Sequence, residues 1–158
     1  MLKGEKRREQ ILAAAEEMFY QNGYERTTVS DIITALGLSK GGFYHHFESK
    51  EALLQAICDR KAEDSYAAAR RAVDDCPGSW ADKFNAMFDQ YGMWQSGNAD
   101  FMGLLIRVAY REDNLIMRDK LKRKSRGLML PLVEEIVKGG VAAQEFITPY
   151  PEGTGMLV

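Results

Sequence analysis

The sequence predicts an all-α protein, and three observations support that prediction. Apolar residues recur at helical spacing along most of the chain, as at Ile11, Leu12 and Ala15 in the first segment. Pairs that end helices, such as Asn22-Gly23 and Pro77-Gly78, separate these segments. Neither a strand pattern of any length nor an internal repeat is visible. We therefore expect helices joined by short turns.

The N-terminal part predicts three helices. The first ends near Asn22-Gly23, because glycine accepts the left-handed backbone that commonly follows a helix. The second follows Thr28, which forms a variant capping box with Asp31, and closes at Gly37. A third begins after Ser39 and is predicted to run through residue 47.

Longer helices are predicted for the remainder. Ser49 caps a fourth helix, from about residue 50 to residue 73. Further helices are expected from Trp80 to Trp94, from residue 101 to 110 and from about 115 to 138. Pro131 lies inside the last helix and should kink it or mark a boundary. The tail after Gly139-Gly140 is predicted to be a loop.

Composition narrows the possible functions. The 158 residues include 21 Lys+Arg and 23 Asp+Glu, a net charge of −2, which excludes a broadly basic nucleic-acid coat. No apolar stretch reaches the ~18 residues of a membrane span and no signal core opens the chain, so we expect a cytoplasmic protein with no membrane partner. Cys58 and Cys76 lack metal-ligand spacing, and Cys58 is predicted to be a small buried residue. His45 and His46 are adjacent on a helix and chelate one ion poorly, so no metal or cofactor is expected.

Residues 28–47 contain the most specific motif. Two short helices flank the turn Leu36-Gly37-Leu38-Ser39, which is the helix-turn-helix arrangement whose second helix enters the DNA major groove. That second helix opens with Gly41 and Gly42, each of which costs about 1 kcal/mol relative to alanine. Close approach of the backbone to another surface is the physical reason we favour. The side chains that could supply phosphate and base contacts around that bare face are Lys40, Tyr44, His45 and Lys50.

Two stretches extend this motif: Thr27-Thr28-Val29-x-x-Ile32, and then Gly37-Leu38-Ser39-Lys40-Gly41-Gly42-Phe43-Tyr44-His45-His46-Phe47-x-Ser49-Lys50-Glu51-x-Leu53. Together they resemble the tetracycline-repressor (TetR) family of bacterial transcriptional regulators. The resemblance is strong over residues 7–60. It implies an all-α homodimer in which three N-terminal helices, residues 1–49, bind double-stranded operator DNA. Residues 50–158 would then form the helical domain that binds a small-molecule effector and dimerises.

The resemblance also implies roles for individual residues. Thr28 and Ser39 would cap helices beside the DNA backbone, and Gly41 belongs to the same DNA-binding surface. Phosphate contacts are implied for Lys40, Tyr44 and Lys50, and base reading for Gly42 and His45. Structural packing is implied for Phe43, His46 and Phe47. Independently of the resemblance, the basic residues at the start of the first helix could reach a neighbouring phosphate strand: Lys3, Lys6, Arg7 and Arg8.

The C-terminal half is rich in aromatic residues and methionine, a combination that suits either a core or a pocket for an apolar or planar effector. The residues proposed for the pocket are Phe84, Phe88, Tyr91, Trp94, Met102, Leu105 and Tyr110. Arg107 and Arg111 could hold an anionic effector or form a solvated face. The basic run over residues 118–126 is expected to be solvent-exposed.

These observations predict a DNA-binding regulator, most simply a repressor that an effector releases from its operator. The alternative is a helical ligand-binding or interaction module that no longer binds DNA. No nucleophile–base pair, carboxylate pair or phosphate loop is visible, so an enzyme is not expected. Family members usually continue into two further helices that form most of the dimer interface. The sequence therefore predicts a domain shortened at its C-terminus, either through truncation or with a dimer assembled differently.

Overall fold

The computed structural model describes residues 3–109 and 115–148, and within these ranges the chain is helical with no strand. Its elements are α1 (Lys3–Asn22), α2 (Val29–Ala35), α3 (Lys40–Tyr44), α4 (Lys50–Asp75), α5 (Trp80–Gly97), α6 (Ala99–Ala109) and α7 (Leu115–Ala142). The prediction of an all-α fold is therefore confirmed. No helix in the described ranges has the length and apolar content needed to cross a bilayer.

The third helix is shorter than predicted, because it ends at Tyr44 instead of running through Phe47. The backbone N–H of His45 bonds to the carbonyls of Gly41 and Phe43, which closes the helix. Phe47 still donates its backbone N–H to Phe43 O at 3.1 Å, but it does so from the turn that leads to α4. This turn buries the Phe47 ring and brings Ser49 to the start of α4, where its hydroxyl accepts the N–H of residue 52 at 3.0 Å.

Two later boundaries also differ from the sequence prediction. Helix α5 extends three residues beyond the predicted end at Trp94 and ends at Gly97, with Asn98 as its C-cap. Helix α7 continues through Pro131, Gly139 and Gly140 to Ala142, so Pro131 does not mark a boundary and the predicted loop begins later. At Gly139 and Gly140, aromatic rings occupy the space that a β-carbon would need, which explains why glycine stands at these two helical positions.

The described residues form two compact units. The first comprises residues 3–60, 100–109 and 115–118. Most of its buried side chains come from five helices, and Tyr24, Thr27 and Phe47 add to them from the turns: the helical members are Ile11, Leu12, Ala15, Phe19, Ile32, Phe43, Leu53, Leu54, Ile57, Cys58, Phe101, Leu104 and Val108. Arg60 joins α4 to α1 because its guanidinium pairs with Glu9 at 3.0 Å and also with Glu16.

The second unit comprises residues 61–99 and 119–148 among those described. Its core contains Ala69, Val73, Met87, Leu132, Val133, Ile136 and Val137. The ammonium group of Lys83 donates to the carbonyls of Val73 and Cys76, both at 3.0 Å, and so satisfies acceptors at the end of α4. Ser79 and Asp82 form a capping box at the start of α5.

Candidate nucleic-acid interface

Helix α2 begins with a complete capping box. The backbone N–H of Thr28 donates to Asp31 Oδ2 at 2.8 Å, and the Thr28 hydroxyl donates to the same oxygen at 2.7 Å. In return, the backbone N–H of Asp31 donates to Thr28 Oγ1 at 3.2 Å. These bonds from Thr28 lower the pKa of Asp31. The cap predicted for Thr28 is therefore present, and this residue lies on the exposed side of the helix start.

The turn between α2 and α3 depends on one glycine and one serine. Gly37 has a φ of +59°, in the left-handed region that favours glycine, and Leu38 N–H then bonds to Ile33 O at 3.0 Å. Ser39 has an extended backbone and accepts the N–H of Gly42 on its hydroxyl at 3.0 Å. Ser39 is thus the N-cap of α3, as predicted.

Helix α3 is anchored by one buried ring and exposes the rest of its side chains. Phe43 is fully buried, whereas Lys40, Gly41 and His45 are exposed and Tyr44 is 46% exposed. The Tyr44 ring packs edge-on against Phe43, with 5.4 Å between centroids. Helix α3 and its C-cap residue His45 therefore present a cation, a bare glycine backbone, a phenol and an imidazole on the outside of the first unit.

The two glycines of α3 have different surroundings. A β-carbon on Gly42 would lie 3.1 Å from Ser39 Oγ, so the capping serine already restricts what fits there. A β-carbon on Gly41 would meet no atom of the described residues within 4 Å. Nothing in residues 3–109 and 115–148 therefore requires glycine at position 41, and the backbone there is open to the approach of another surface.

Lys50 directs its ammonium group to Tyr24 of the same chain. Its Nζ donates to the carbonyl oxygen of Tyr24 at 2.9 Å and sits 4.2 Å from the centroid of the Tyr24 ring. The side chain is half-buried. The motif gave no signal for this contact, because Tyr24 precedes Lys50 by 26 residues. Tyr24 is thus a residue that the sequence reasoning did not include in the site.

The structure brings seven of the eight predicted DNA-binding residues into one helix-turn-helix: Thr28, Ser39, Lys40, Gly41, Gly42, Tyr44 and His45. Three residues of the basic cluster on α1, Lys6, Arg7 and Arg8, are exposed. The guanidinium of Arg8 also lies 5.0 Å from the centre of the Phe47 ring and 3.7 Å from a Glu9 carboxylate oxygen.

The residues predicted for an effector pocket fall into both units. In the second unit, Phe84 packs against the core and stacks on Phe88 at 4.9 Å, while Phe88 and Tyr91 are 42% and 39% exposed. The remaining member of this unit, Trp94, is half-buried, as are the two members of the first unit, Met102 and Leu105. Tyr110 lies outside the described residues.

The structure tests part of the exposure predicted for the basic residues of α6 and α7. Arg107 is exposed, and Arg111 lies outside the described residues. Among the basic residues 118–126, Lys124 pairs with Glu63 at 2.6 Å and Arg123 pairs with Asp119 at 2.6 Å, while Lys120, Lys122 and Arg126 are exposed. The exposure predicted for this run is confirmed for most of its members.

The cysteines and histidines that the structure describes do not form a metal-binding cluster. Cys58 is buried, as predicted, and burial raises the pKa of its thiol to about 12. Within residues 3–109 and 115–148, no group of three or more His, Cys, Asp or Glu residues is arranged to hold a metal ion.

Comparisons with known proteins agree with this geometry. Residues 11–57 match the family model of bacterial regulatory proteins of the tetR family. The HTH-type transcriptional regulator TtgR from Pseudomonas putida is 40% identical over 70 residues, which cover 43% of this chain and 33% of TtgR. The HTH-type transcriptional repressor Rv1474c from Mycobacterium tuberculosis is 40% identical over 65 residues, covering 41% of this chain and 35% of that protein. The similarity thus spans about a third of the length of these curated relatives.

A solved structure extends the similarity in fold. A transcriptional regulator of the TetR/AcrR family from Thermobifida fusca superimposes with a TM-score of 0.73 at 23% identity, covering 96% of this chain and 79% of that one. At that identity the match concerns the fold. Together with the family match over residues 11–57, it agrees with the resemblance read from the sequence: the helix-turn-helix domain of this chain is similar to that of the tetR family of bacterial regulatory proteins, and the described residues share the fold of a TetR/AcrR regulator.

Proposed function

We propose that the protein is a transcriptional regulator that binds double-stranded operator DNA as a homodimer and is released from it by a small-molecule effector. The observation that supports DNA binding most directly is the outer face of α3, where a β-carbon on Gly41 would meet none of the described residues within 4 Å and where Lys40, Tyr44 and His45 are exposed. Repression is the activity that we propose, since Rv1474c is described as a repressor. Because its proposed target is operator DNA, we propose that the protein acts in the cytoplasm.

The proposed contacts divide into positioning and reading. Lys40 and Tyr44 would bind phosphates, while the caps at Thr28 and Ser39 fix the two helices beside the DNA backbone. His45 and Gly42 would face base edges in the major groove. Because residues 1–50 carry equal numbers of basic and acidic side chains, affinity depends on the placement of these few groups rather than on net charge.

The division of labour that we propose is residues 1–49 for DNA and residues 50–158 for effector binding and dimerisation. Helices α4, α6 and α7 each contain residues of both compact units, and α4 is the helix that follows α3 directly in the chain, so we propose α4 as the element through which an effector would change the position of α3. Half-sites in such operators lie about 34 Å apart or a multiple of that, so a shift of a few ångströms would prevent simultaneous docking. The aromatic and methionine residues of α5 and α6 support an apolar or planar effector.

Fluorescence polarisation with a labelled duplex from the DNA upstream of the protein's own gene tests the proposal. We expect specific binding by the wild type, and Lys40→Ala should weaken it on every sequence and reduce the slope of log K against log salt by about 0.9. Lys138→Ala is the matched control, because Lys138 is an exposed lysine of the second unit outside the proposed surface. Equal affinity in both variants would contradict the assignment of Lys40.

His45→Ala should change the preferred base at one operator position, measured by competition with duplexes that carry single substitutions. Uniform weakening across all sequences would assign His45 to positioning instead of base reading. If the wild type bound no duplex better than an unrelated one, the protein would instead be a helical ligand-binding or interaction module that no longer binds DNA.

A further inference from the structure

We infer that Lys50 acts on DNA binding as a positioning residue, by fixing the α1–α2 loop at Tyr24 to the first turn of α4, and not as a phosphate contact. The inference rests on the proposed function for its effect on DNA. Its structural part, the coupling of Lys50 to Tyr24, stands on the contacts within the first unit alone.

The ammonium group of Lys50 is engaged twice by one residue. Nζ donates to Tyr24 O at 2.9 Å and lies 4.2 Å from the ring centroid, within the distance at which a cation is attracted to an aromatic face. Lys50 is also the first residue of α4 and is half-buried. To contact a phosphate with the full ammonium group, Lys50 would have to give up both the carbonyl and the ring.

Tyr24 is itself held firmly. Its side chain is buried and its ring meets Phe19 edge-on, with 5.1 Å between centroids. The Tyr24 hydroxyl donates to Glu51 Oε1 at 3.4 Å, and burial together with the Glu51 carboxylate raises the pKa of that hydroxyl. The first two residues of α4 therefore both contact Tyr24. Lys50 contacts its backbone carbonyl and ring, and Glu51 accepts a hydrogen bond from its hydroxyl.

This loop leads directly into the helix-turn-helix. Thr27 is buried and its hydroxyl donates to the carbonyls of Gly23 at 2.9 Å and Met18 at 3.3 Å, which ties the loop to the end of α1. The next residue, Thr28, is the N-cap of α2. Fixing Tyr24 therefore sets where α2 begins, and α3 follows α2 through the four-residue turn 36–39, which contains Gly37.

A double-mutant cycle tests the structural part. Lys50→Met keeps the aliphatic stem and removes the ammonium group, and Tyr24→Leu removes the ring but keeps the backbone carbonyl. We expect the two changes to be non-additive in urea unfolding, with a coupling of about threefold or more in the unfolding equilibrium. Tyr24→Phe, which retains the ring, should preserve most of that coupling. Additive effects in the cycle would overturn the inference.

The second arm measures DNA binding on the strongest duplex recovered from a random-sequence pool with the wild-type protein. At conditions where every variant is folded, Lys50→Met and Tyr24→Leu should lower affinity by a similar factor and leave the salt slope unchanged, and Lys50→Arg should restore affinity. Lys40→Ala, in contrast, should flatten the slope by about 0.9.

The outcomes separate the possible explanations. A flattened salt slope for Lys50→Met, equal to that of Lys40→Ala, would overturn the positioning role and make Lys50 a phosphate contact. Unchanged affinity in folded Lys50→Met would overturn it as well. If the wild type recovers no duplex but the double-mutant cycle shows coupling, the proposed function is wrong while the coupling of Lys50 to Tyr24 is confirmed.

Discussion

Gly140 packs its α-carbon against the ring of Phe146, and its carbonyl oxygen accepts the backbone N–H of Phe146 at 3.1 Å. A β-carbon at Gly140 would overlap the ring, just as one at Gly139 would overlap the ring of Trp80. Glycine is thus required twice in succession near the end of α7. Glycine has a lower helix propensity than alanine, but at both positions it allows an aromatic side chain to lie against the helix backbone.

Gly140→Ala should therefore lower the free energy of unfolding by about 1–3 kcal/mol, the usual cost of overpacking a fitted site. Gly127→Ala is the matched control, because Gly127 lies in the same helix and a β-carbon there meets nothing within 4 Å. The control should raise stability by about 0.5–1 kcal/mol through helix propensity. Urea unfolding followed by circular dichroism measures both, and equal stabilities would contradict the packing argument.

Gly41→Ala separates stability from DNA affinity. Since the added β-carbon would meet no side chain or distant backbone of the described residues within 4 Å, the folded protein should be unchanged or more stable by about 0.5–1 kcal/mol. Affinity for the operator should nevertheless fall, because the new methyl group occupies the surface proposed to meet DNA. Thermal unfolding and polarisation on the same samples make the comparison. Unaltered affinity would show that DNA does not approach this backbone.

The capping box at α2 predicts a defined pH dependence. The bonds from the Thr28 backbone and hydroxyl lower the pKa of Asp31 below its ordinary value of 3.8 in the folded protein. The unfolded chain then binds a proton more readily, so the stabilisation is complete above pH 3.8 and disappears as the pH falls through the lowered folded pKa.

Asp31→Asn should accordingly be less stable than the wild type at pH 7, and the difference should shrink in acid. Denaturant unfolding at pH 7, 4 and 2.5 tests this expectation. A stability difference that stays constant across this range would mean that the Asp31 charge does not contribute.

The two cysteines should differ in reactivity. Burial raises the pKa of the Cys58 thiol to about 12, so little thiolate forms near neutral pH, whereas Cys76 is half-buried at the end of α4. In a colorimetric thiol assay at pH 8, Cys76 should react first and Cys58 only as the protein unfolds. Cys58→Ala and Cys76→Ala assign the phases. Rapid reaction of Cys58 in the folded protein would contradict its burial.

The sequence allowed the helix-turn-helix to be predicted because its signals are local. Thr28 and Asp31, Gly37 and Ser39 each act within a few residues, and the structure shows the caps and the left-handed turn at the predicted positions. The predicted end of α7 was wrong, because contacts with residues distant in the sequence determine which residues occupy that part of the helix. Gly139 and Gly140 looked like a helix end because Trp80 and Phe146, whose rings they accommodate, cannot be recognised from the glycines themselves.

Lys50 illustrates the same limit within the site. The motif favoured a phosphate contact, since Lys50 follows α3 closely and carries a charge. Its engagement with Tyr24 depends on the return of α4 to the end of α1, which no pattern around Lys50 encodes. The contacts that Lys40, Tyr44 and His45 make with a partner remain predictions, because they depend on a surface outside the chain.

The two capping boxes, Thr28 with Asp31 and Ser79 with Asp82, have a consequence for the order of folding. Each closes over four residues, so forming it costs little loop-closure entropy and needs no distant partner. We expect the starting points of α2 and α5 to be selected early, while the chain is still largely extended. The slower events are then those that join remote segments, such as the pairing of Arg60 with Glu9 and of Arg70 with Glu135.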